Sequence, residues 1–106
     1  MLGLLIYVLP TAACKLANML NWSVYIIRCD DGSLYTGIST DVERRFSEHL
    51  GSPRRAKFFN GRVPLEVVYR EDGHSRASAA RREAAIKKLG REGKLRLILQ
   101  NTAMIN

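Results

Sequence analysis

The stretch VYIIRCDDGSLYTG, Val24–Gly37, decides how the chain folds. Ser23–Arg28 is dense in β-branched and aromatic residues, the composition of a strand. Asp30-Asp31-Gly32-Ser33 carries a turn signal, and Leu34–Ser39 is the returning strand. An amphipathic hairpin needs apolar alternation and a turn. It does not need a phenol at both position 25 and position 35, nor a glycine at 37.

Beyond the hairpin, Thr40-Asp41-Val42-Glu43 matches a capping box, with Thr40 as N-cap, and predicts a helix from Asp41 to about Leu50. Gly51-Ser52-Pro53 ends it. Pro53–Arg62 reads as a basic loop, and the alternation of Leu65, Val67 and Tyr69 predicts a third strand. Asp72-Gly73 then turns the chain. Ser75 is placed to cap a second helix, Arg76 to Leu89, with Gly90 as its stop. Leu95–Leu99 supplies a further helical stripe. The order is strand, strand, helix, strand, helix, helix, an α+β domain spanning residues 22–99 with a C-terminal tail over 100–106.

Residues 1–21 form an apolar N-terminal extension. Its run Leu2–Leu9 is too short for a bilayer, which takes roughly 20 residues. The first basic residue is Lys15, so the positive start of a secretory signal is absent. Met19 offers an alternative start. The segment is either an extension or a short helix after Pro10 that packs on the domain.

A chain of 106 residues with 46% hydrophobic and 25% charged residues is an ordinary globular domain rather than a disordered one. The net charge of +7 points to a polyanionic partner, nucleic acid or an anionic surface. Two cysteines, Cys14 and Cys29, form neither a metal-ligand pattern nor a disulfide framework, and a reducing, cytoplasmic setting is expected.

Wound at about 100° per residue, the first helix has an apolar stripe of Val42, Phe46 and Leu50. Arg45 and His49 lie on one edge of that stripe, while Arg44 and Glu48 point away. On the second helix Ala79, Ile86, Leu89 and Gly90 share a face, with Glu83 beside them and Lys87 one turn on. Glu83 is either an i,i+4 partner of Lys87 or a ligand for a hard cation, magnesium or manganese, completed by water and substrate phosphate. The candidate phosphate contacts are Arg54, Arg55 and Lys57 in the loop and Arg82, Lys87, Lys88, Arg91 and Lys94 on the later helices.

Together these pieces resemble the GIY-YIG nuclease superfamily, in its short stand-alone bacterial YhbQ-like branch, from Trp22 to about Leu99. SVY, Ser23–Tyr25, resembles the GIY element, and YTG, Tyr35–Gly37, resembles YIG. TDVERRFSEH, Thr40–His49, resembles the helix whose second arginine and the histidine four later belong to the site. Glu83 falls where the family keeps its metal-binding glutamate. Ser23 replaces a glycine of the first element, Ile38 stands where some relatives carry lysine, and no separate DNA-recognition domain is evident.

The resemblance implies a three-stranded antiparallel sheet flanked by helices. It also implies metal-dependent hydrolysis of nucleic-acid phosphodiesters by a DNA endonuclease, with a role in repair and with DNA ahead of RNA as substrate. Glu83 would hold Mg2+ or Mn2+, and Arg45 would grip the phosphate. Tyr25 would act as base or base relay and Tyr35 would orient the water. His49 is the alternative base, because ionising a free tyrosine at pH 7 costs roughly 4 kcal/mol. Gly37 would allow close backbone approach. The alternative is a non-catalytic nucleic-acid-binding module that retains the fold. No stable membrane association is expected.

A shared site constrains the hairpin. A two-residue Asp31-Gly32 turn opposes Tyr25 to Ile38 and sends the phenols to opposite faces. Placing them together requires an odd-length loop or a bulge, expected at Asp30–Ser33.

Overall fold

The computed structural model describes residues 19–105. The apolar run Leu2–Leu9 lies outside the described residues. Three antiparallel strands, β1 (Trp22–Cys29), β2 (Leu34–Ser39) and β3 (Pro64–His74), form one sheet in the order β2-β1-β3. Helix α1 (Val42–Gly51) follows β2, a 3-10 turn (Lys57–Phe59) precedes β3, and α2 (Arg76–Lys88) and α3 (Gly90–Ile105) close the fold. This is the expected α+β architecture.

β1 is central and covered on both faces, so Val24, Tyr25, Ile26 and Ile27 are all buried. Its alternate side chains feed two separate cores. Val24 and Ile26 join Tyr69, Ala79 and Ile86 under α2 and α3. Tyr25, Ile27 and Cys29 join Val42 and Phe59 under α1 and the 3-10 turn. Burial of an aliphatic side chain such as Ile26 or Ile27 contributes on the order of 1.5–3 kcal/mol.

The β1–β2 loop is the irregularity that a shared site requires. Inside its closing pair, Cys29 and Ser33, it has three residues, Asp30, Asp31 and Gly32. The Gly32 N–H donates to the Cys29 carbonyl at 2.9 Å and the Cys29 N–H to the Ser33 carbonyl at 2.9 Å. Gly32 adopts φ +82°, the left-handed geometry that closes a three-residue hairpin. Asp31 accepts from the Ser33 N–H at 3.0 Å and from its hydroxyl. The resulting register opposes Tyr25 to Gly37 and Ile27 to Tyr35. Directly opposed residues share a face, so both phenols project to the α1 side.

Several local expectations change. Asp41, not Thr40, caps α1, its carboxylate accepting from the Arg44 N–H at 3.0 Å. The Asp41 N–H is itself held by Ser39 Oγ at 2.9 Å, which extends the backbone at 41 and starts the helix one residue later. Leu50 is 56% exposed, because α1 turns its Val42–His49 edge inward. Asp72-Gly73 is not a turn but part of β3, at a register shift where Trp22 pairs with His74 and Val24 with Glu71. A second shift leaves Val68 as an extra residue, since Ile26 pairs with Tyr69 and Ile27 with Val67. Tyr69 therefore faces α2 while Leu65 and Val67 stay partly exposed. Residues 100–105, expected as a tail, continue α3. Among the described residues no helix is long and apolar enough to cross a membrane.

Candidate active site

The α1 face of the hairpin gathers Tyr25, Tyr35 and His49. The Tyr25 hydroxyl lies 3.2 Å from His49 Nε2. The two tyrosine rings are 6.2 Å apart between centroids, and Tyr35 meets His49 edge-on at 5.3 Å. Phe59 closes the base of the cluster, 4.3 Å from His49 and 4.7 Å from Tyr35. His49, expected at the edge of the apolar stripe, is 1% exposed.

Gly37 is what allows Tyr25 to reach this position. A Cβ at 37 would stand 2.6 Å from the Tyr25 oxygen, 2.8 Å from its Cζ and 2.9 Å from Tyr35 Cε2. The close approach is made by a phenol. Tyr25, on the central strand, lies across the bare backbone of the edge strand.

The backbone around the 3-10 turn fixes the histidine tautomer. The Ala56 N–H donates to His49 Nδ1 at 3.3 Å, so Nδ1 is an acceptor and the neutral ring carries its proton on Nε2. Nε2–H therefore donates to the Tyr25 oxygen. Burial first, and then the Arg45 charge, lower the His49 pKa from 6.5 to about 4. The ring is neutral at pH 7.

Burial raises the Tyr25 phenol far above its usual value, with Tyr35 and Glu83 adding to the rise and Arg45 opposing it. Tyr35 is raised by burial in the same way, again against the Arg45 charge. Arg45 donates to Glu48 Oε1 at 2.9 Å and to the Arg54 carbonyl at 2.7 Å. Glu48 was expected to point away from the site. Instead it holds Arg45 in place, a pairing that an i,i+3 spacing could have signalled. Arg44 is exposed.

Glu83, on α2, is 24% exposed at its side chain, and its charge acts on both phenols. Its contact with Lys87 is long, 3.7 Å, and leaves the carboxylate available. Among the described residues no cluster of three or more metal-ligating side chains exists. A single carboxylate fits a hard cation that keeps waters and takes substrate phosphate oxygens, and fits a structural zinc poorly.

The basic residues divide. Arg54, Arg55, Lys57, Lys87, Lys88 and Arg91 are exposed. Arg55, however, bonds Asn60 at 3.1 Å and the Ser52 carbonyl, and Arg91 donates to the Gly32 carbonyl. Arg82 and Lys94 depart from the expected phosphate-tracking surface. Arg82 clamps Glu71 at 2.9 Å within a network that also contains Tyr69, His74 and Ser78. Lys94 Nζ, part-buried, donates to the Leu34 carbonyl at 3.1 Å, and burial lowers its pKa. Both bonds join residues distant in sequence, which no helical periodicity reveals.

A short antiparallel sheet with two phenols, a buried histidine and an arginine at one edge defines the class. A family model of the GIY-YIG catalytic domain matches residues 21–96. The chain belongs to the GIY-YIG family, a family associated with nucleases. It is 46% identical over 77 residues to a UPF0213 protein of Desulfotalea psychrophila, covering 73% of this chain and 70% of that one. It is also 46% identical to a UPF0213 protein of Haloquadratum walsbyi, covering 74% and 88%. The solution NMR structure of a UPF0213 protein from Bacillus halodurans is similar at 40% identity, covering 74% of this chain and 83% of that one with a TM-score of 0.48.

Proposed function

We propose that this protein hydrolyses phosphodiester bonds of nucleic acid, DNA ahead of RNA, as a divalent-metal-dependent endonuclease. The observation that carries the reading is the register of the hairpin. It brings Tyr25 and Tyr35 to one face, beside His49 and within the field of both Arg45 and Glu83. Core packing accounts for the rings of Tyr25 and Tyr35, but not for their hydroxyls or for a buried imidazole beside them.

Glu83 holds the cation, Mg2+ or Mn2+, in this reading. A cation there supplies Lewis-acid stabilisation of charge on the leaving oxygen. Arg45, fixed by Glu48 and by the Arg54 carbonyl, faces the non-bridging phosphate oxygens, where negative charge grows. Tyr25 is the base or base relay toward water. Tyr25 takes a proton from water only as the phenolate, so its own proton passes first to solvent. The His49 Nε2–H donated to its oxygen and the Arg45 charge stabilise that anion against the burial that otherwise favours the neutral phenol. His49 is then a positioning residue, since its outward nitrogen carries a proton and cannot take one. Tyr35 lies beside Tyr25 and orients the water.

The fixed Arg45 also favours a second reading, a binding module whose arginine serves only to brace the basic loop. One experiment separates the two. Cleavage of duplex, single-stranded and branched DNA is measured with Mg2+, with Mn2+ and with chelator, for the wild type and for Glu83→Gln. Metal-dependent cleavage by the wild type, abolished in a folded Glu83→Gln that still binds DNA, supports the nuclease. Binding with no cleavage on any substrate establishes the module. Equal cleavage by both proteins removes Glu83 from the metal and leaves it as the partner of Lys87.

A further inference from the structure

Trp22, the chain's one tryptophan, opens β1 and is only half-buried. One side packs on the α2–α3 core. The remainder lines a cleft of about 360 Å³ at the end of the β2 edge, together with Ile38, Arg44, Arg45, Glu48 and Arg54. The chemistry of this wall is uneven. Glu48, its one acid, is already paired with Arg45, whereas Arg44 and Arg54 are exposed and have no acidic partner among the described residues. Arg76 sits over the Trp22 ring at 5.5 Å, a loose contact by an exposed side chain. Trp22 thus borders a cleft whose charged lining is mostly cationic and includes Arg45.

We infer that this cleft is a subsite for one unpaired nucleotide next to the phosphate held at Arg45, with the base stacked on Trp22 and the neighbouring phosphate on Arg44 and Arg54. The inference deepens the proposed action on nucleic acid and rests on it. The cleft's volume of about 360 Å³ lies at the lower end of the range for small-ligand clefts, the size class of a single nucleotide. Stacking on an aromatic side chain requires a base released from its own neighbours, which a single strand, flap or loop offers and a continuous duplex does not. The incoming base displaces Arg76, whose guanidinium is then free for phosphate. The preferred substrate is therefore a strand with an unpaired nucleotide flanking the scissile bond. Arg44 contributes charge to this subsite while Arg45 serves the reacting phosphate.

Because no other tryptophan is present, intrinsic fluorescence reports directly on the subsite. The full chain is titrated in chelator, so that nothing is cleaved, with a thymidine oligonucleotide, with the same strand carrying abasic sites, and with a duplex of equal length. Saturable quenching by the oligonucleotide, with much less from the abasic strand and the duplex, is the expected result. Trp22→Leu should weaken oligonucleotide binding, followed by anisotropy of a labelled strand, about tenfold or more, with Trp22→Phe close to wild type. Binding without quenching, equal quenching by duplex, or unchanged affinity in Trp22→Leu would each overturn the subsite. The fluorescence result comes from the wild-type chain and does not depend on either variant folding. Quenching together with no metal-dependent cleavage would leave the subsite standing and remove the nuclease.

Discussion

Tyr25 on the central strand lies directly opposite Gly37 on the edge strand, and its phenol fills the space that any side chain at 37 would need. The glycine is thus the counterpart of the tyrosine, and the two define one feature. Gly37→Ala should push the Tyr25 ring away from His49, lowering turnover on the order of a hundredfold and stability by about 1–3 kcal/mol. Thermal melts and cleavage rates measure the two separately. Adding Tyr25→Leu to Gly37→Ala should recover part of the stability, the contact with Tyr35 remaining, but not activity, a coupling that a double-mutant cycle reads directly.

Arg44 and Arg45 are neighbours with different duties. Arg45→Ala should reduce turnover by about a hundredfold, the loss expected of a transition-state donor. Arg44→Ala should mainly weaken binding and lower the salt dependence of affinity. Similar effects on both quantities in both variants would mean that the braced guanidinium of Arg45 has no special place in the reaction.

His49 couples stability to pH. Its folded pKa, about 4, lies below the ordinary value of 6.5. The unfolded chain binds the proton more readily, so the stabilisation is complete above pH 6.5 and is lost as pH falls toward 4. Urea unfolding midpoints between pH 4 and 7 should show this slope in the wild type and a shallower one in His49→Gln. Parallel curves would contradict the buried neutral ring.

The three-residue loop can be tested by shortening it. Deleting Asp30 leaves the two-residue turn that opposes Tyr25 to the wrong face of β2. The variant should lose cleavage by more than a hundredfold. A nuclear Overhauser contact between Tyr35 and Phe59, present in the wild type, should vanish. Survival of both would show that the register is set by core packing rather than by the loop.

Much of this could be read from the sequence because it depends on short-range chemistry. Alternation and turn residues located the hairpin, and Ser75 caps α2 as expected, accepting from the Ser78 N–H at 3.1 Å. Periodicity failed where a bulge intervened. Leu65, Val67 and Tyr69 share a parity, yet the extra residue at 68 sends Tyr69 to the opposite face. It failed again where a side chain is claimed by a distant element, as Arg82 is by Glu71 and Lys94 by the Leu34 carbonyl. The burial of His49 escaped a wheel drawn on α1 alone, because Phe59 and Ala56, which cover it, come from the loop that follows.

Arg91 and Lys94 have a consequence for the order of events in synthesis. Both reach from α3 to carbonyls at the hairpin, Gly32 and Leu34, so a late helix holds the segment that sets the tyrosine register. A growing chain that has reached Lys88 already contains Tyr25, Tyr35, Arg45, His49 and Glu83, but not the clasp across them. The gathered residues are secured only once Arg91 and Lys94 have been added, and a ribosome-bound fragment ending before Gly90 should show its hairpin amides exchanging faster than those of a chain that contains α3.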